Sequence, residues 1–293
     1  ELSVTRWRED TTTDAWGNFC YLQDVASGAC WSTAFQPTRK QPQHYEAIFS
    51  EGRAEFRRRD FDFETHTEIV VSPEDDIELR RVHISNRARH KRSIAVTSYA
   101  EVVIADPAAD AAHPAFSNLF VQTEILAPRH AILCTRRPRS KPERPPWMLH
   151  VMVVHGVETQ APSYETDRSR FIGRGNTAAH PQALNDVNAL SGSQGSVLDP
   201  IVAIRYVLTL EPGQTAIVDM VTGMGETRET AMSLVEKYQD RRLADRVFEL
   251  AWTHAQVVLR QLNATEADAQ LYAGLANSVV YANPSLRAEQ HVL

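Results

Sequence analysis

The 293-residue chain has few cysteines and no long apolar segment. Its three cysteines, Cys20, Cys30 and Cys134, are an odd number that forms no disulfide framework and indicates a reducing compartment. They also lack the CxxC and Cys/His spacing typical of zinc, so the sequence predicts no metal site. No window of about 18 apolar residues occurs, which excludes a helix that spans a bilayer.

Positive charge in excess and the common catalytic motifs are also absent. The net charge is −6, from 31 basic and 37 acidic side chains. Because nucleic-acid binding needs a concentrated positive field, we expect no nucleic-acid partner. Neither G-x-S-x-G nor a Gly-rich phosphate loop occurs, and we expect no cofactor. The chain begins Glu1-Leu2-Ser3, without an initiator Met or a signal peptide, so we expect a piece of a longer protein.

Strand patterns fill the first three quarters of the chain, from residue 1 to about 224. Ser93–Ile104 alternates, with Ile94 on one face and Tyr99 on the other. Glu211–Gln214 has Pro and Gly where a hairpin turn needs them. Further predicted strands are His66–Val71, Ile77–Ser85, Leu119–Ile125, Ala131–Arg136, Met148–His155, Ile201–Leu210 and Thr215–Gly223. Many short strands without intervening helices predict stacked antiparallel sheets.

Helical periodicity replaces the strand pattern near Gly225. Thr227–Tyr238 predicts a first helix, with Leu234, Val235 and Tyr238 facing inward. A second helix is predicted over Leu243–Leu262, with an inward face made of Leu243, Val247, Leu250, Ala251, His254 and Val258.

A third helix is predicted to begin with a capping box, Thr265 and Asp268. Its apolar stripe consists of Leu271, Tyr272, Leu275 and Val279, and Pro284 ends it. We therefore predict a β-sandwich domain over residues 1–225, followed by a helical region over residues 226–293. The fold class is mainly β with C-terminal helices.

An ordered set of motifs runs along nearly the whole chain. The motifs are WGNFCYLQD (16–24), CWSTAFQP (30–37), HYEAIFSEGRAEF (44–56), VSPEDDIELRRVHISN (71–86), SYAEVVIADPAADAAHPAFSNLFVQTE (98–124), YETDRSRFIGRG (164–175) and DPIVAIRYVLTLEPGQ (199–214). This set resembles the amino-terminal region of glycoside hydrolase family 94, once called glycosyltransferase family 36. The runs around His113 and Arg170 resemble the branch of cyclic β-1,2-glucan synthases.

The resemblance implies a galactose-mutarotase-like antiparallel β-supersandwich, then linker helices, then a catalytic (α/α)₆ barrel. Such enzymes phosphorolyse β-glucosides with inversion. In the glucan synthases the region is a cytoplasmic part of a large inner-membrane protein. The third helix would be the first helix of the barrel, whose catalytic motifs have no counterpart in this sequence. The resemblance therefore supplies no catalytic residue for this chain.

Two polar runs contain the candidate binding residues. In the first, His113 precedes Pro114, and Phe116 follows, so this loop can reach a sugar or a neighbouring domain, or pack on its own sheet. In the second, four candidates lie between Tyr164 and Gly175: Asp167, Arg168, Arg170 and Arg174. Carboxylate and guanidinium groups form the bidentate hydrogen bonds that sugars or phosphates need. An ion-pair network that fixes a long loop is the alternative, and both interpretations stay open.

Three functional hypotheses follow. The first is a non-catalytic module of a β-glucan-acting glycosyltransferase or phosphorylase, whose partners would be the barrel, a β-glucan oligosaccharide and a second copy of the chain. The second is an autonomous carbohydrate-binding module, which an exposed aromatic platform would favour. The third is a mutarotase-like enzyme, which needs a histidine and an acid that converge in an open groove.

Overall fold

The computed structural model describes residues 2–9, 15–138, 140–281, 288–289 and 291–292. Strands come first and longer helices follow, as the periodicities predict. In chain order the strands are β1 (Ser3–Thr5), β2 (Phe19–Asp24), β3 (Cys30–Ser32), β4 (His44–Ser50), β5 (Arg53–Asp60), β6 (Phe63–Val71), β7 (Ile77–Asn86), β8 (Arg92–Ala105), β9 (Val121–Leu126), β10 (Ala131–Arg136), β11 (Trp147–His155), β12 (Ser163–Asp167), β13 (Pro200–Leu210) and β14 (Thr215–Gly225).

The strands form two antiparallel sheets, which confirms the predicted fold class. The six-stranded sheet has the order β12-β13-β8-β2-β3, with β1 paired to β8. The eight-stranded sheet has the order β4-β5-β6-β7-β14-β11-β10-β9. The predicted turn Glu211–Gln214 joins β13 to β14, one strand in each sheet. It is therefore a connection between the two sheets and not a hairpin within one.

The main core lies between the two sheets. Alternate residues of β7, such as Val82 and Ile84, pack there with Val96 of β8 and Ile204 of β13. Burying each such side chain fully is worth about 1.5–3 kcal/mol. The opposite face of β8 is also buried, because Tyr99 packs under Phe171 and the segment that follows it. The alternation of β8 predicted two faces but not that both would be covered.

Six helices occur in the described ranges: α1 (Pro107–Ala112), α2 (Pro114–Asn118), α3 (Arg168–Ile172), α4 (Arg228–Lys237), α5 (Arg241–Gln261) and α6 (Glu266–Val280). The three long helices were predicted. The loop predicted around His113 is instead the short α1–α2 pair, because Asp106 caps α1 and a proline begins each helix. Similarly, Asp167 caps α3 by accepting a hydrogen bond from the backbone N–H of Ser169.

Helices α4 and α5 cover part of the outer face of the eight-stranded sheet. Leu234 and Val235 of α4 and Tyr238, which caps it, are buried, as predicted. On α5 only Ala244, Val247 and Ala251 are fully buried. The predicted inward position of His254 is wrong, since its side chain is exposed. The buried face of α5 ends at Ala251, and beyond it His254 and Ala255 line an open groove beside Ala54 and Ile69 of the sheet.

Helix α6 begins with the predicted capping box of Thr265 and Asp268. Its stripe faces solvent: Leu271, Tyr272, Leu275 and Val279 are 59%, 57%, 57% and 83% exposed. Pro284, the predicted end of the helix, lies outside the described residues. The domain boundary near residue 225 stays a prediction. No helix in the ranges that the structure describes is long and apolar enough to cross a bilayer.

Candidate functional site

A buried network of charged side chains joins the three short helices at one region of the six-stranded sheet. We call it the Arg6 network, and its members are Arg6, Tyr99, Glu101, Asp110, Asn118, Arg168 and Asp199. Strand β8 supplies Tyr99 and Glu101. Asp110 comes from α1, and Arg168 is the first residue of α3.

Arg6 is the centre of this network, and its side chain is only 6% exposed. Its guanidinium donates to Glu101 Oε2 at 2.7 Å, to Asp110 Oδ1 at 2.9 Å and to Asn118 Oδ1 at 2.9 Å. Burial alone would lower the pKa of Arg6, but its hydrogen bond to Asp110 and the charge of Glu101 outweigh burial and raise it. Arg6 therefore stays charged and fixes α1 and α2 to β8.

Glu101 connects Arg6 to α3 through its second oxygen. Glu101 Oε1 accepts from Arg168 Nε at 2.8 Å and from the Tyr99 hydroxyl at 3.0 Å. Arg168 also lies 3.5 Å from Asp199, which accepts a hydrogen bond from the amide of Asn118. Burial and the charge of Glu101 raise the pKa of Asp199. The arrangement satisfies Glu101 on both oxygens, which is typical of a structural ion network.

Around the Arg6 network, Asp167 caps α3, and the other four predicted residues face solvent. Arg170 is 62% exposed, with its Nε 3.9 Å from Asp167, and Arg174 makes no ion pair within the described part of the chain. His113 is exposed between α1 and α2. Phe116 is 60% exposed and meets the ring of Phe120 edge-on at 5.2 Å. The exposed set of His113, Phe116, Arg170 and Arg174 is free to contact a sugar or another domain.

The backbone after α3 is fixed by one glycine. Gly173 has φ of +81°, and a Cβ there would lie 2.2 Å from the side-chain oxygen of Gln182. Only glycine fits this conformation and this contact. Leu184 of the following segment packs with Phe171 of α3 over the outer face of β8, and Ala178, Ala183 and Leu190 pack against the same cluster.

Sequence reasoning identified Arg168 but missed the centre of the network. Arg6 lies 95 residues from Glu101 and 104 residues from Asp110, so no local pattern links them.

A groove of about 540 Å³ lies elsewhere, between the amino-terminal segment and the start of β7. Asn18, Asp76, Glu78 and Glu226 line it together with apolar residues. Burial would raise the pKa of Glu78, but the charge of Arg80 beside it outweighs burial and lowers it. Histidine is absent from the described lining, so the groove lacks the histidine–acid pair of the mutarotase hypothesis.

A second exposed surface is the aromatic strip, which we define as Phe35, Tyr45, Phe49 and Phe56. Its ring centroids are spaced 6.1–6.4 Å apart along β4 and β5. By strand register these rings lie on the same side of the sheet as Val82, yet β4 and β5 add no residue to the core between the sheets. The strip therefore extends beyond the sandwich core, and Phe49 is 72% exposed.

One group of metal-ligating side chains occurs among the described residues, namely His66, Glu68 and His83. They project from β6 and β7 on the outer face of the eight-stranded sheet, and their ligand atoms all lie within 4.8 Å of one another. Cysteine spacing could not have revealed this group, because the pairing of two strands creates it.

Comparison with known proteins gives consistent matches. The model of the glycosyl hydrolase 94 supersandwich domain matches residues 1–241. The cyclic β-(1,2)-glucan synthase NdvB of Rhizobium meliloti (strain 1021) is 34% identical over 98% of this chain. A 3-O-β-D-glucopyranosyl-β-D-glucuronide phosphorylase of Paenibacillus borealis is 24% identical over 73% of it. The N,N′-diacetylchitobiose phosphorylase of Vibrio furnissii is 25% identical over 84% of it.

These relatives are much longer than the region they share with this chain. The matched region is 10% of the glucan synthase, 27% of the glucuronide phosphorylase and 30% of the chitobiose phosphorylase. The similarity therefore concerns one supersandwich region that occurs in both synthases and phosphorylases.

Proposed function

Since the chain belongs to glycosyl hydrolase family 94, we propose that it is the non-catalytic supersandwich module of a β-glucan-acting glycosyltransferase or phosphorylase. Its role is to support and orient a catalytic (α/α)₆ barrel. By its similarity to the cyclic glucan synthase, the module works in the cytoplasm as part of an inner-membrane protein. A β-glucan oligosaccharide and a second copy of the chain are further proposed partners.

The observation that carries this proposal is the unpartnered stripe of α6. The helix has a complete capping box, so its sequence specifies a helix start. Yet Leu271, Leu275 and Val279 are all more than half exposed. Leaving large apolar side chains in water forfeits about 1.5–3 kcal/mol for each one. A following barrel helix is the partner that we propose for this stripe.

The exposed set of His113, Phe116, Arg170 and Arg174 is the second proposed contact with the barrel or its glucan. The Arg6 network supports this surface from below by fixing α1, α2 and α3 to β8. In the full-length enzyme, Arg170→Ala should therefore lower activity. The same substitution in the 293-residue chain should leave its melting temperature unchanged.

The decisive test is catalytic silence of the chain alone. We expect no glucose 1-phosphate when the chain is incubated with β-1,2-glucooligosaccharides and phosphate. The full-length enzyme, assayed under the same conditions, is the positive control. Turnover by the chain that disappears on changing one of its own acids, such as Glu226→Gln in the groove, would refute the proposal.

The aromatic strip favours a second candidate function, carbohydrate binding by the chain itself. Aromatic faces stack on the CH groups of sugars, and Tyr45 and Phe56 lie with an interplanar angle of 26°. Strand pairing holds Tyr45 on β4 and Phe56 on β5, so this part of the platform is formed before any ligand binds.

Titration of the chain with β-glucan oligosaccharides, followed by calorimetry, tests this candidate. We expect Phe49→Ala to abolish binding and Phe116→Ala, a substitution of another exposed ring elsewhere, to preserve it. The opposite result would assign sugar binding to the α1–α2 turn. If both variants still bind the oligosaccharide, neither the aromatic strip nor the α1–α2 turn is the binding surface.

A further inference from the structure

The metal-ligating group on the outer sheet face is created by strand register. His66 pairs directly with His83 across β6 and β7, and their rings lie 5.8 Å apart with an interplanar angle of 20°. Glu68, two residues after His66, is on the same face, with its carboxylate 3.9 Å from His83 Nδ1. A period of two places these three side chains together on a rigid scaffold.

The carboxylate of Glu55 completes the surroundings of His66. Glu55 Oε2 lies 2.8 Å from His66 Nε2, and Glu55 is opposite Glu68 in the register of β5 and β6. A carboxylate that hydrogen-bonds one ring nitrogen fixes the tautomer of a histidine and makes its other nitrogen a better metal ligand. Glu55 therefore orients His66.

His83 has an available ligand atom. Its Nδ1 is buried and has no hydrogen-bond partner in the described structure. An imidazole nitrogen without a hydrogen-bond partner is available to bind a metal ion.

One cation competes for the same carboxylates. Arg53 lies 2.8 Å from Glu68 and 3.2 Å from Glu55, and its side chain is 41% exposed. Arg57 lies 3.6 Å from Glu55, on the side away from His83. Because Arg53 is partly in solvent, its guanidinium can move outward when a metal ion binds to Glu68.

We propose that His66, His83 and Glu68 form a binding site for a zinc ion, with Glu55 as the group that orients His66. Two imidazoles and a carboxylate are a ligand set that Zn²⁺ favours, and water completes four-fold coordination. Zn–N distances of about 2.0–2.1 Å require ligand atoms about 3.3 Å apart. The present separations, within 4.8 Å, need only rotations of these partly exposed side chains.

Zinc binding is measured on the untagged 293-residue chain after treatment with EDTA and dialysis. We expect calorimetry to show that each chain binds one Zn²⁺ ion. Co²⁺, a spectroscopic probe, should give the strong visible absorption of a four-coordinate site without a thiolate charge-transfer band. A Co²⁺ spectrum of weak, six-coordinate type, or no saturable Zn²⁺ binding, would overturn the proposal.

Variants locate the site. We expect His83→Ala and His66→Ala each to weaken binding at least about tenfold, as removal of groups around a metal does. His113→Ala, which removes an exposed histidine elsewhere, is the control and should bind like the wild type. Unchanged affinity in both His66→Ala and His83→Ala would overturn the proposal, even if zinc binds elsewhere on the chain.

A variant that is expected to bind zinc more tightly tests the site even if a ligand variant does not fold. Arg53→Gln removes the competing cation without touching a ligand, and we expect Zn²⁺ to bind several-fold more tightly. Circular dichroism of each metal-free variant shows whether it is folded. If His83→Ala does not fold, His66→Ala and Arg53→Gln decide the question, and unchanged affinity in both counts against the site.

Discussion

Two sets of polar residues around the same short helices have opposite environments. Arg168 and Arg170 are two positions apart, yet Arg168 enters the Arg6 network while Arg170 is 62% exposed. The difference follows from helical phase, since the first residue of α3 faces Glu101 and the third faces away. Residue type alone therefore does not distinguish an arginine that holds the fold from one that is free to bind.

The carboxy-terminal helices show the same contrast for apolar residues. Val235 of α4 is 0% exposed against the eight-stranded sheet, whereas Val279 of α6 is 83% exposed. Both lie on the apolar stripe of a capped helix. An apolar stripe thus indicates that a helix has a partner, but not whether the partner belongs to the same chain.

The largest expected effect comes from the Arg6 network. Arg6→Ala leaves Glu101 and Asp110 buried without their counter-ion, and we expect the free energy of unfolding to fall by about 3–5 kcal/mol. Arg174→Ala, the exposed counterpart, should change it by less than about 0.5 kcal/mol. Urea unfolding measures both, and equal effects would break the comparison between buried and exposed arginines.

A buried and an exposed histidine give the same comparison in the pH dependence of the free energy of unfolding. His150 lies between Ser98 and Thr222, and burial lowers its pKa to about 4. The pKa of His150 is lower in the folded state than in the unfolded state. Its contribution to the free energy of unfolding is therefore complete above about pH 6.5 and is lost as the pH falls towards 4. We expect that loss to reach about 3 kcal/mol, at about 1.4 kcal/mol per pH unit.

The measurement is the pH dependence of unfolding in the wild type and two variants. His150→Gln should flatten the profile between pH 6.5 and 4, because the variant has no proton to take up at this position. His113→Gln, at an exposed position, should keep the wild-type slope. A His150→Gln profile parallel to that of the wild type would show that His150 does not titrate in this window.

The smallest expected effect is the difference in stability between alanine substitutions of the two valines. Val235→Ala removes two buried methyl groups and leaves a cavity, and we expect a loss of about 2 kcal/mol. Val279→Ala should change the unfolding free energy by less than about 0.5 kcal/mol. Thermal unfolding of the two variants measures the difference. An equal loss in both would mean that α6 packs on the sandwich in solution.

Much of the fold was predictable because its signals are local. The strands from Ile77 to Asn86 and from Ala131 to Arg136 follow from runs of sheet-forming residues, and the start of α6 follows from Thr265 and Asp268. The helices α1 and α3 were missed because each has fewer than seven residues, too short for a periodic pattern. Their Asp caps were the available signal.

The candidate site was predicted only in part. The motifs around His113 and Arg170 were found, but their division into supporting and exposed residues was not. Arg6, the centre of the network, lies about a hundred residues from its partners, and that contact depends on β1 pairing with β8.

The sequence by itself determined that strands precede the long helices, where α6 starts, and the family, because each depends on neighbouring residues or on motifs in a fixed order. Only the tertiary structure decided which charges are buried, which aromatic rings lie beyond the core, and that His66 meets His83. The physical reason is strand register: a shift of one residue would move either histidine to the opposite face of the sheet. Register is set by packing across the whole sheet, which no local stretch of the chain contains.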